Sequence, residues 1–357
     1  MGFTQKFYQA PLAFSFKDVI LLPGFSKVEP NEIDISTNFS KNIPIKVPLV
    51  SSPMDTVTEE KMAIALALNG GMGIIHRNCS KEEELEMVKK VKEAEFSKEK
   101  YKNATIDENG KLRVGAAVSP FDLERAKLLS KYADALIIDV AHFYNKNVIE
   151  ATKKISKEID GEVDLIIGNL GTKEGVLDSV TKIDKVDGVR VGIGGGSICI
   201  TTKVTKAGAP TLFAVAQAAD ALKEQGINIP IIADGGIKEP GDVTLALLFG
   251  ASCAMLGYVF AGCDESPSQR VFLNGKYYKL HRGMGSESAR EKRIVNDRYA
   301  SFSKQIVEGK EVLVPYRGSI DKVVEEFVSG IKASFGYAGA SNIKELQENG
   351  KIARVRD

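Results

Sequence analysis

Cysteine is scarce in this chain. Four cysteines occur in 357 residues, at positions 79, 199, 253 and 263, and no two of them form a Cys-x-x-Cys pair. A disulfide-stapled domain needs a denser set, and structural zinc sites commonly use closely spaced cysteines. The scarcity therefore excludes a disulfide framework and argues against a structural zinc centre.

An excess of charge of either sign is also missing. The chain has 48 lysines and arginines against 47 aspartates and glutamates, which gives a formal net charge of +1. Bulk attraction to nucleic acid or to an anionic membrane needs a strongly basic balance. We therefore expect no nucleic-acid partner.

Long apolar runs are absent as well. The longest apolar stretches have the length of strands, far below the roughly 20 residues that cross a bilayer. The first residues, MGFTQKFYQAPLAF, lack the apolar run of a signal peptide. We expect no membrane partner and a cytoplasmic location. Hydrophobic residues nevertheless make up 43% of the chain, enough for a substantial core.

Eight short apolar runs recur along the chain, and each ends in small or polar residues. They are VPLVSSPMD (47–55), GGMGIIHR (70–77), LRVGAAVS (112–119), ALIIDVAH (135–142), DLIIGNLG (164–171), GVRVGIGGGS (188–197), IPIIADGGI (229–237) and SCAMLGYVF (252–260). Continuous apolar runs are typical of strands buried on both faces of a parallel sheet. Helical patterns rich in Lys, Glu, Ala and Leu lie between them. Eight strand–helix units predict one α/β domain, a (β/α)8 TIM barrel over residues 1–357, with a doubly wound sheet as the alternative.

Active sites of such barrels lie at the C-terminal ends of the strands. In this chain those ends are polar or rich in glycine: residues 51–55, 76–78, Asp139 with His142, Asn169, 194–199, 234–236 and 257–258. The Asp234-Gly235-Gly236 turn, together with Gly257, predicts a backbone cradle for a phosphate ester.

The most distinctive strand end is GVRVGIGGGSICIT, residues 188–201. A β-branched strand precedes three consecutive glycines, which let the backbone approach a ligand closely. The Gly-x-Gly-x-x-Gly spacing of a dinucleotide fold is missing, so a tight turn without a ligand would also explain the glycines alone. Cys199, at the end of this loop, is better placed for chemistry than for packing.

Six blocks of sequence together resemble the family of inosine-5′-monophosphate (IMP) dehydrogenases and guanosine-5′-monophosphate (GMP) reductases. They are SSPMDTVTE (51–59), GGMGIIHRN (70–78), VGIGGGSICIT (191–201), IPIIADGGI (229–237), GASCAMLGYVFAG (250–262) and RGMGS (282–286). The blocks follow the family's order and span nearly the whole chain. The resemblance implies a barrel enzyme that binds a purine nucleoside monophosphate and assembles as a homotetramer.

The resemblance also implies a role for each matching position. Cys199 would be the nucleophile that adds to C2 of the purine. The substrate would contact Ser52, Met54, Arg190, Ser197, Asp234, Gly236, Gly257, Tyr258, His281, Gly283, Met284, Gly285 and Glu308. The cofactor NAD would contact Asp139, Asn169 and Gly192. The carbonyls of Gly194, Gly196 and Cys199 would bind a monovalent cation, usually K⁺.

A cysteine suits this chemistry because the purine C2 needs a strong nucleophile, and a thiolate is the best that a protein has near neutral pH. A free thiol titrates near about 8.5, so N–H dipoles of the glycine-rich loop would help by favouring the anion. After addition, the hydride at C2 would leave to the nicotinamide. The remaining thioimidate would be hydrolysed by an activated water, giving xanthosine 5′-monophosphate (XMP) for guanine nucleotide biosynthesis.

The two activities of the family differ in their second half-reaction. Asp297-Arg298-Tyr299 matches the Arg-Tyr pair that activates water in the dehydrogenase, and it lies in a mobile flap predicted at about 275–316. Glu287 instead falls where the reductase carries a glutamate beside a threonine, here Thr201. We favour the dehydrogenase because the Arg-Tyr pair has no use in the reductase. An NADPH-dependent GMP reductase that uses Cys199, Thr201 and Glu287, and a catalytically silent nucleotide sensor, remain alternatives.

The chain also departs from the family pattern. Only 34 residues (78–111) separate the second and third runs, too few for the regulatory pair of cystathionine-β-synthase-type modules that most of the dehydrogenases insert there. His281 stands where a tyrosine is usual, and His142 begins an atypical segment after the fourth strand. Cys253 is predicted in the core and Cys263 in a loop. An amphipathic helix is predicted at 320–339.

Overall fold

The structure is a computed structural model that describes residues 2–159, 161–286 and 309–355. Its strands are β1 Val19–Leu22, β2 Thr37–Ser40, β3 Ile43–Ile45, β4 Leu49–Ser51, β5 Met72–Ile75, β6 Val114–Val118, β7 Ala135–Ile138, β8 Asp164–Leu170, β9 Gly188–Val191, β10 Ile231–Asp234, β11 Cys253–Leu256, β12 Arg270–Leu273, β13 Lys276–Arg282, β14 Glu311–Pro315 and β15 Lys351–Arg354. Its α-helices are α1 Gln5–Tyr8, α2 Glu60–Leu68, α3 Lys81–Glu93, α4 Leu123–Leu129, α5 Lys146–Glu158, α6 Lys173–Lys182, α7 Thr201–Thr205, α8 Thr211–Glu224, α9 Pro240–Leu248, α10 Tyr258–Ala261, α11 Ile320–Ala338 and α12 Ile343–Asn349.

Strands β4 to β11 form a closed barrel in chain order, with β11 beside β4. All neighbouring pairs are parallel, and the closing pair aligns Ala254 with Leu49. Each barrel strand falls within one of the eight predicted runs, and helices follow the strands. The prediction of a (β/α)8 barrel is confirmed, and the doubly wound sheet is wrong because a closed barrel leaves no sheet edge.

The barrel interior is a packed core of alternate strand residues. Val50, Ile74, Ile137, Ile166 and Met255 belong to one buried cluster inside the barrel. Cys253 belongs to the same cluster, as predicted. A second and larger cluster lies between the strands and the surrounding helices. Burial on both faces explains why these strands read as continuous apolar runs.

The β2–β3 hairpin covers the N-terminal end of the barrel. Phe39, Ile43 and Ile45 of this hairpin are buried against the interior cluster. Asp164, the first residue of β8, accepts hydrogen bonds from the Ser40 hydroxyl (2.5 Å) and from the backbone N–H (3.0 Å) and side-chain amide (2.7 Å) of Asn42. The polar and glycine-rich ends of the strands lie at the opposite, C-terminal end of the barrel.

Three antiparallel strands, β12, β13 and β14, follow the barrel. β13 and β14 lie within the predicted flap, for which no strands were predicted. Lys279 on β13 is buried and donates to the carbonyls of Cys263 (2.7 Å) and Ser266 (2.8 Å), which fixes this sheet to the end of the barrel. The flap's two ends are therefore ordered strands.

Two further segments complete the description. Residues 78–111 form α3 and a loop closed by a bridge between Ile106 and Leu112. The predicted C-terminal amphipathic helix is α11, which packs its apolar face on α9 and α2. In the described ranges, no helix combines the length and the apolar character needed to cross a membrane.

Candidate active site

The polar strand ends converge on a cavity at the C-terminal end of the barrel. One part of it has a volume of about 170 Å³ and an adjoining part about 70 Å³. Both parts are lined by Ser52, Met54, Gly196, Ile198, Asp234 and Gly235, so they form one continuous cleft. Strand ends that are far apart in sequence therefore share one site.

Most of the predicted site residues line this cleft. They are Ser52, Met54, Asn169, Arg190, Gly192, Gly194, Gly196, Ser197, Cys199, Thr201, Asp234, Gly236, Gly257, Tyr258, His281, Gly283, Met284 and Gly285. Glu287, Arg298, Tyr299 and Glu308 lie outside the residues that the structure describes. Asp139 is described and lies beneath the cleft rather than in its wall.

The Cys199 thiol sits at the wider part of the cleft. Its Sγ lies 3.1 Å from the Thr201 hydroxyl, at the first residue of α7. The other cysteines do not line the cleft: Cys253 and Cys263 are fully buried, and burial raises the pKa of Cys79 to about 12. In the described part of the chain, Cys199 is thus the cysteine that a bound ligand would meet.

The loop that carries Cys199 needs glycine at its start. Gly192 has φ +118°, and a Cβ there would lie 2.2 Å from the Asp234 carbonyl oxygen. The loop can therefore pass against the end of β10 only because position 192 has no side chain. This close approach brings the loop and the Asp234 turn to the same side of the cleft.

The other end of the loop is held by the two residues that precede β14. The Lys310 amide donates to the Ile198 carbonyl (3.1 Å), and Cys199 forms a β-bridge with Gly309. The Gly283 amide donates to the Lys310 carbonyl (3.0 Å). Cys199 is therefore coupled to both ends of the predicted flap.

A chain of buried charges runs beneath the cleft. Asp139, 1% exposed, pairs through Oδ1 with Arg190 (3.1 Å) and through Oδ2 with Arg77 (3.4 Å). Arg190 Nε is 3.8 Å from Asp234 Oδ2, and that same oxygen accepts a hydrogen bond from the Asn169 amide (2.8 Å). These contacts orient Arg190, Asn169 and Asp234 before any ligand arrives.

The narrower part of the cleft lies at the ends of β10 and β11, the seventh and eighth barrel strands. Gly236, Gly257, Tyr258 and His281 line it. His281 is 1% exposed, and burial lowers its pKa to about 4. Loops after these two strands are a frequent phosphate site in (β/α)8 barrels.

Some residues that shape this site were not predicted from the sequence. Arg77 was noted only as part of a polar strand end, and Thr56, Ile198 and Gly309 were not singled out. An arginine at the end of a buried strand does carry a signal, because a buried guanidinium needs a counter-ion. The contacts of Gly309 carry no such signal, because they depend on pairing across more than 100 residues.

Comparison with known proteins gives a consistent result. The model of the family "IMP dehydrogenase / GMP reductase domain" matches residues 13–357. An inosine-5′-monophosphate dehydrogenase of Korarchaeum cryptofilum is 40% identical over 96% of this chain and 94% of its own length. Proteins of the same name from Borreliella burgdorferi (40% identical; 96% and 94%) and Cryptosporidium parvum (37%; 96% and 92%) are also similar.

Proposed function

The chain belongs to the IMP dehydrogenase / GMP reductase family, and on this basis we propose that it oxidises IMP to XMP with NAD as hydride acceptor, a reaction of guanine nucleotide biosynthesis. The observation that carries the proposal is the Cys199 thiol, which lies 3.1 Å from Thr201 in a cleft lined by the predicted nucleotide-binding residues. The dehydrogenase name of the relatives described above favours this activity over GMP reduction.

Cys199 would act as the covalent catalyst. Its thiolate adds to C2 of the hypoxanthine ring and makes that carbon tetrahedral. The C2 hydrogen then leaves with its electron pair, and a C=N bond re-forms while the carbon stays bonded to sulfur. Water adds to this thioimidate, the C–S bond breaks, and XMP and the thiol are released. The Cys199 thiol donates a hydrogen bond to the Thr201 hydroxyl, and this hydroxyl can donate one to the sulfur once the thiolate has formed.

The wider part of the cleft fits the nicotinamide end of NAD. Val140 and Ala141 give it an apolar wall, and Asn169 and Gly192 lie beside them. Within the described chain, Nε of Arg190 is buried without a hydrogen-bond partner, so a shift of this side chain would give a bound ligand a further donor. Bound NAD would supply the hydride acceptor. The proposed contact of Asp139 with the cofactor ribose would require its carboxylate to turn from one of its arginines.

The carbonyls of Gly194, Gly196 and Cys199 would hold K⁺. Gly194 and Gly196 line the cleft, and the Gly196 carbonyl already accepts the Cys199 amide at 3.1 Å, which leaves one lone pair for an ion. Neutral carbonyl oxygens suit a hard monovalent cation better than a transition metal. In the described ranges, no cluster of His, Cys, Asp and Glu could hold a metal ion instead.

Arg298 and Tyr299 are assigned the activation of the hydrolytic water. Glu308 is assigned the contact with the edge of the purine ring. Both assignments rest on the family motif, because these residues lie outside the described ranges. Glu287 would take the corresponding role only in a reductase. The bridge between Cys199 and Gly309 supports the arrangement, because it brings the end of the segment that carries these residues to the nucleophile.

We further propose a homotetramer of single-domain subunits without an inserted regulatory module, located in the cytoplasm. Large apolar side chains that lie open in one chain support an assembly: Phe3, Phe7, Tyr8, Phe25 and Tyr337 are each at least 70% exposed. Light scattering should give about four times the 38.7 kDa of one chain; the mass of one chain would contradict the tetramer.

The activity is tested by absorbance at 340 nm in two mixtures, each with and without K⁺. A rise with IMP and NAD⁺ is expected. A fall with GMP and NADPH, with the first mixture flat, would instead establish the reductase and move the second half-reaction to Glu287 and Thr201. Nucleotide binding without absorbance change in either mixture would establish the sensor.

The role of Cys199 is tested by Cys199→Ala. We expect turnover to fall at least about 1,000-fold while IMP binding persists, because the nucleophile alone is removed. Cys79→Ala is the matched control, since Cys79 lies outside the cleft, and it should retain wild-type rates. Mass spectrometry of acid-quenched wild-type enzyme with IMP and NAD⁺ should show the nucleotide on the Cys199 peptide. Full activity of the Cys199 variant would contradict the mechanism.

A further inference from the structure

His281 occupies the narrower part of the cleft, at the ends of β10 and β11. The same part is lined by Ser197, Gly236 and Gly257. Because these are the loops that commonly hold phosphate in a (β/α)8 barrel, the 5′-monophosphate of the proposed substrate belongs here. The phosphate would then lie against the imidazole.

The hydrogen bonds around His281 fix its tautomer. The Thr56 hydroxyl oxygen accepts the Arg282 backbone N–H (3.3 Å) and lies 3.3 Å from His281 Nδ1. Within the described ranges, Nδ1 is the acceptor available to the Thr56 proton. Nδ1 therefore accepts, and the neutral ring carries its hydrogen on Nε2. No described residue forms a hydrogen bond with Nε2, so the Nε2–H group is available to a ligand in the cleft.

The protein groups around the ring do not by themselves stabilise a positive charge on it. Asp55 is the carboxylate that acts on His281, and Arg282 already binds it in bidentate fashion (3.0 and 2.6 Å). The other titratable or charged groups near it are Tyr258, whose ring is 6.4 Å away, Lys238 and Asp234 in the cleft wall, and Glu311 opposite Arg282 on β14. The residue opposite His281 on β14 is the apolar Val312. At neutral pH the ring is therefore uncharged.

We propose that binding of the 5′-monophosphate protonates His281, so that this protein takes up one proton from solvent with each substrate molecule. A phosphate dianion brings into the buried pocket the negative charge that the imidazolium lacks there. Nδ1 then becomes a donor to the Thr56 oxygen, and Nε2–H remains a donor to phosphate. His281 thus becomes a charge-matching residue for the phosphate, and substrate affinity becomes dependent on pH. The inference rests on the proposed function, because it needs a nucleoside monophosphate in this cleft.

The sign of the pH dependence follows from linkage. In the free protein the burial-lowered pKa of His281 is about 4, whereas in the complex the phosphate raises it. Between these two pKa values the complex binds one proton more than the free protein does. The affinity for IMP therefore falls as pH rises, by up to tenfold per pH unit, and levels off above the pKa of the complex.

Isothermal titration calorimetry with IMP between pH 7 and 8.5 tests this inference. In that range the phosphate is already a dianion, since its second pKa is about 6. Measurements in two buffers with different ionisation enthalpies count the protons taken up. We expect up to one proton for the wild type, none for His281→Gln, which keeps a donor that does not titrate, and none for inosine, which lacks the phosphate.

Each other result has a distinct meaning. IMP binding whose enthalpy is independent of buffer and whose affinity is flat with pH would overturn this inference and leave the proposed function intact. Uptake that persists in His281→Gln would also overturn it. Absence of IMP binding would overturn the proposed function and this inference together. NMR of the three histidines tests the inference without a variant. Addition of IMP at pH 7 should convert one imidazole ring from neutral to imidazolium. Histidine signals that do not change would contradict the inference.

Discussion

At the scale of single residues, the charged side chains beneath the cleft stabilise one another, because a buried charge is costly unless an opposite charge lies beside it. Asp139 is the centre of this arrangement, since it pairs with both Arg77 and Arg190. Removing one partner of a buried ion pair leaves a charge that water cannot reach, and this costs more than the pair itself contributed. The position of Arg190 in the cleft thus depends on a carboxylate that is itself sealed from solvent.

Asp139→Asn should therefore destabilise the protein strongly. The asparagine keeps the shape but leaves both guanidinium groups without this carboxylate, so we expect the free energy of unfolding to fall by about 3–5 kcal/mol. Urea unfolding measures the loss. Glu158→Gln is the control, because it breaks an exposed ion pair with Lys127 and should change stability far less. Equal unfolding midpoints for Asp139→Asn and the wild type would show that the buried charges do not act as a unit.

The residue-scale network also marks a limit of prediction from sequence. The family resemblance implied site roles for Arg190 and Asp139, and hydrophobic patterning located the strands that carry them. Neither could pair Arg77 with Asp139, because the two residues are 62 positions apart and meet only after the barrel closes. The cleft's wall was predictable from strand ends, whereas its electrostatics required the three-dimensional register.

At the scale of elements, the loop between β9 and α7 brings the nucleophile into the cleft. Its path depends on Gly192, where the backbone conformation and the nearby Asp234 carbonyl both exclude a side chain. In the sequence, the three consecutive glycines 194 to 196 indicated this loop. They did not show which position in the loop is the most constrained. The distinction comes from β10, which supplies the Asp234 carbonyl.

Gly192→Ala should displace this loop. A Cβ 2.2 Å from the Asp234 oxygen cannot be accommodated, so the loop and Cys199 must shift, and a shift of about 1 Å can cost roughly 100-fold in rate. We expect kcat/KM for IMP to fall by about that factor. Gly226→Ala is the control: its φ is +64° and no heavy atom lies within 4 Å of the added Cβ, so it places an alanine at positive φ without the clash. Wild-type kinetics in Gly192→Ala would contradict the role of this contact.

The strands after the barrel show where element prediction failed. β13, KYYKLHR, is charged and partly exposed, and 28 residues separate its end from the start of its partner β14. The two-residue Asn274-Gly275 turn between β12 and β13, with both residues at positive φ, is a strong hairpin signal that the sequence-based prediction missed. Continuous apolar character, by contrast, does not mark β13 as a strand. Its strand conformation depends on its partner strands and on the buried Lys279, whose ammonium is bonded to carbonyls of the segment that follows α10.

At the scale of the whole molecule, the two ends of the barrel have different tasks. The C-terminal end collects the polar and glycine-rich residues of the cleft, while the β2–β3 hairpin covers the N-terminal end with Phe39 and Ile43. This division is typical of (β/α)8 barrels, in which strand starts contribute to stability and strand ends to chemistry. The eight apolar runs were enough to predict the barrel and its active end, but no signal identified the hairpin as a cover, because its partner Asp164 is more than 120 residues away.

Asp164→Ala separates stability from function across the barrel. The change removes the acceptor for the Ser40 hydroxyl and for both N–H groups of Asn42, which should lower the free energy of unfolding by about 2–4 kcal/mol. Because Asp164 begins β8 at the end opposite the cleft, kcat and KM measured well below the melting temperature should stay within about twofold of the wild type. Asp220→Ala, at an exposed position on α8, controls for loss of an aspartate and should leave both quantities unchanged. A fall in kcat that parallels the loss of stability would show that the hairpin and the cleft are coupled through the barrel, so that the two ends do not act independently.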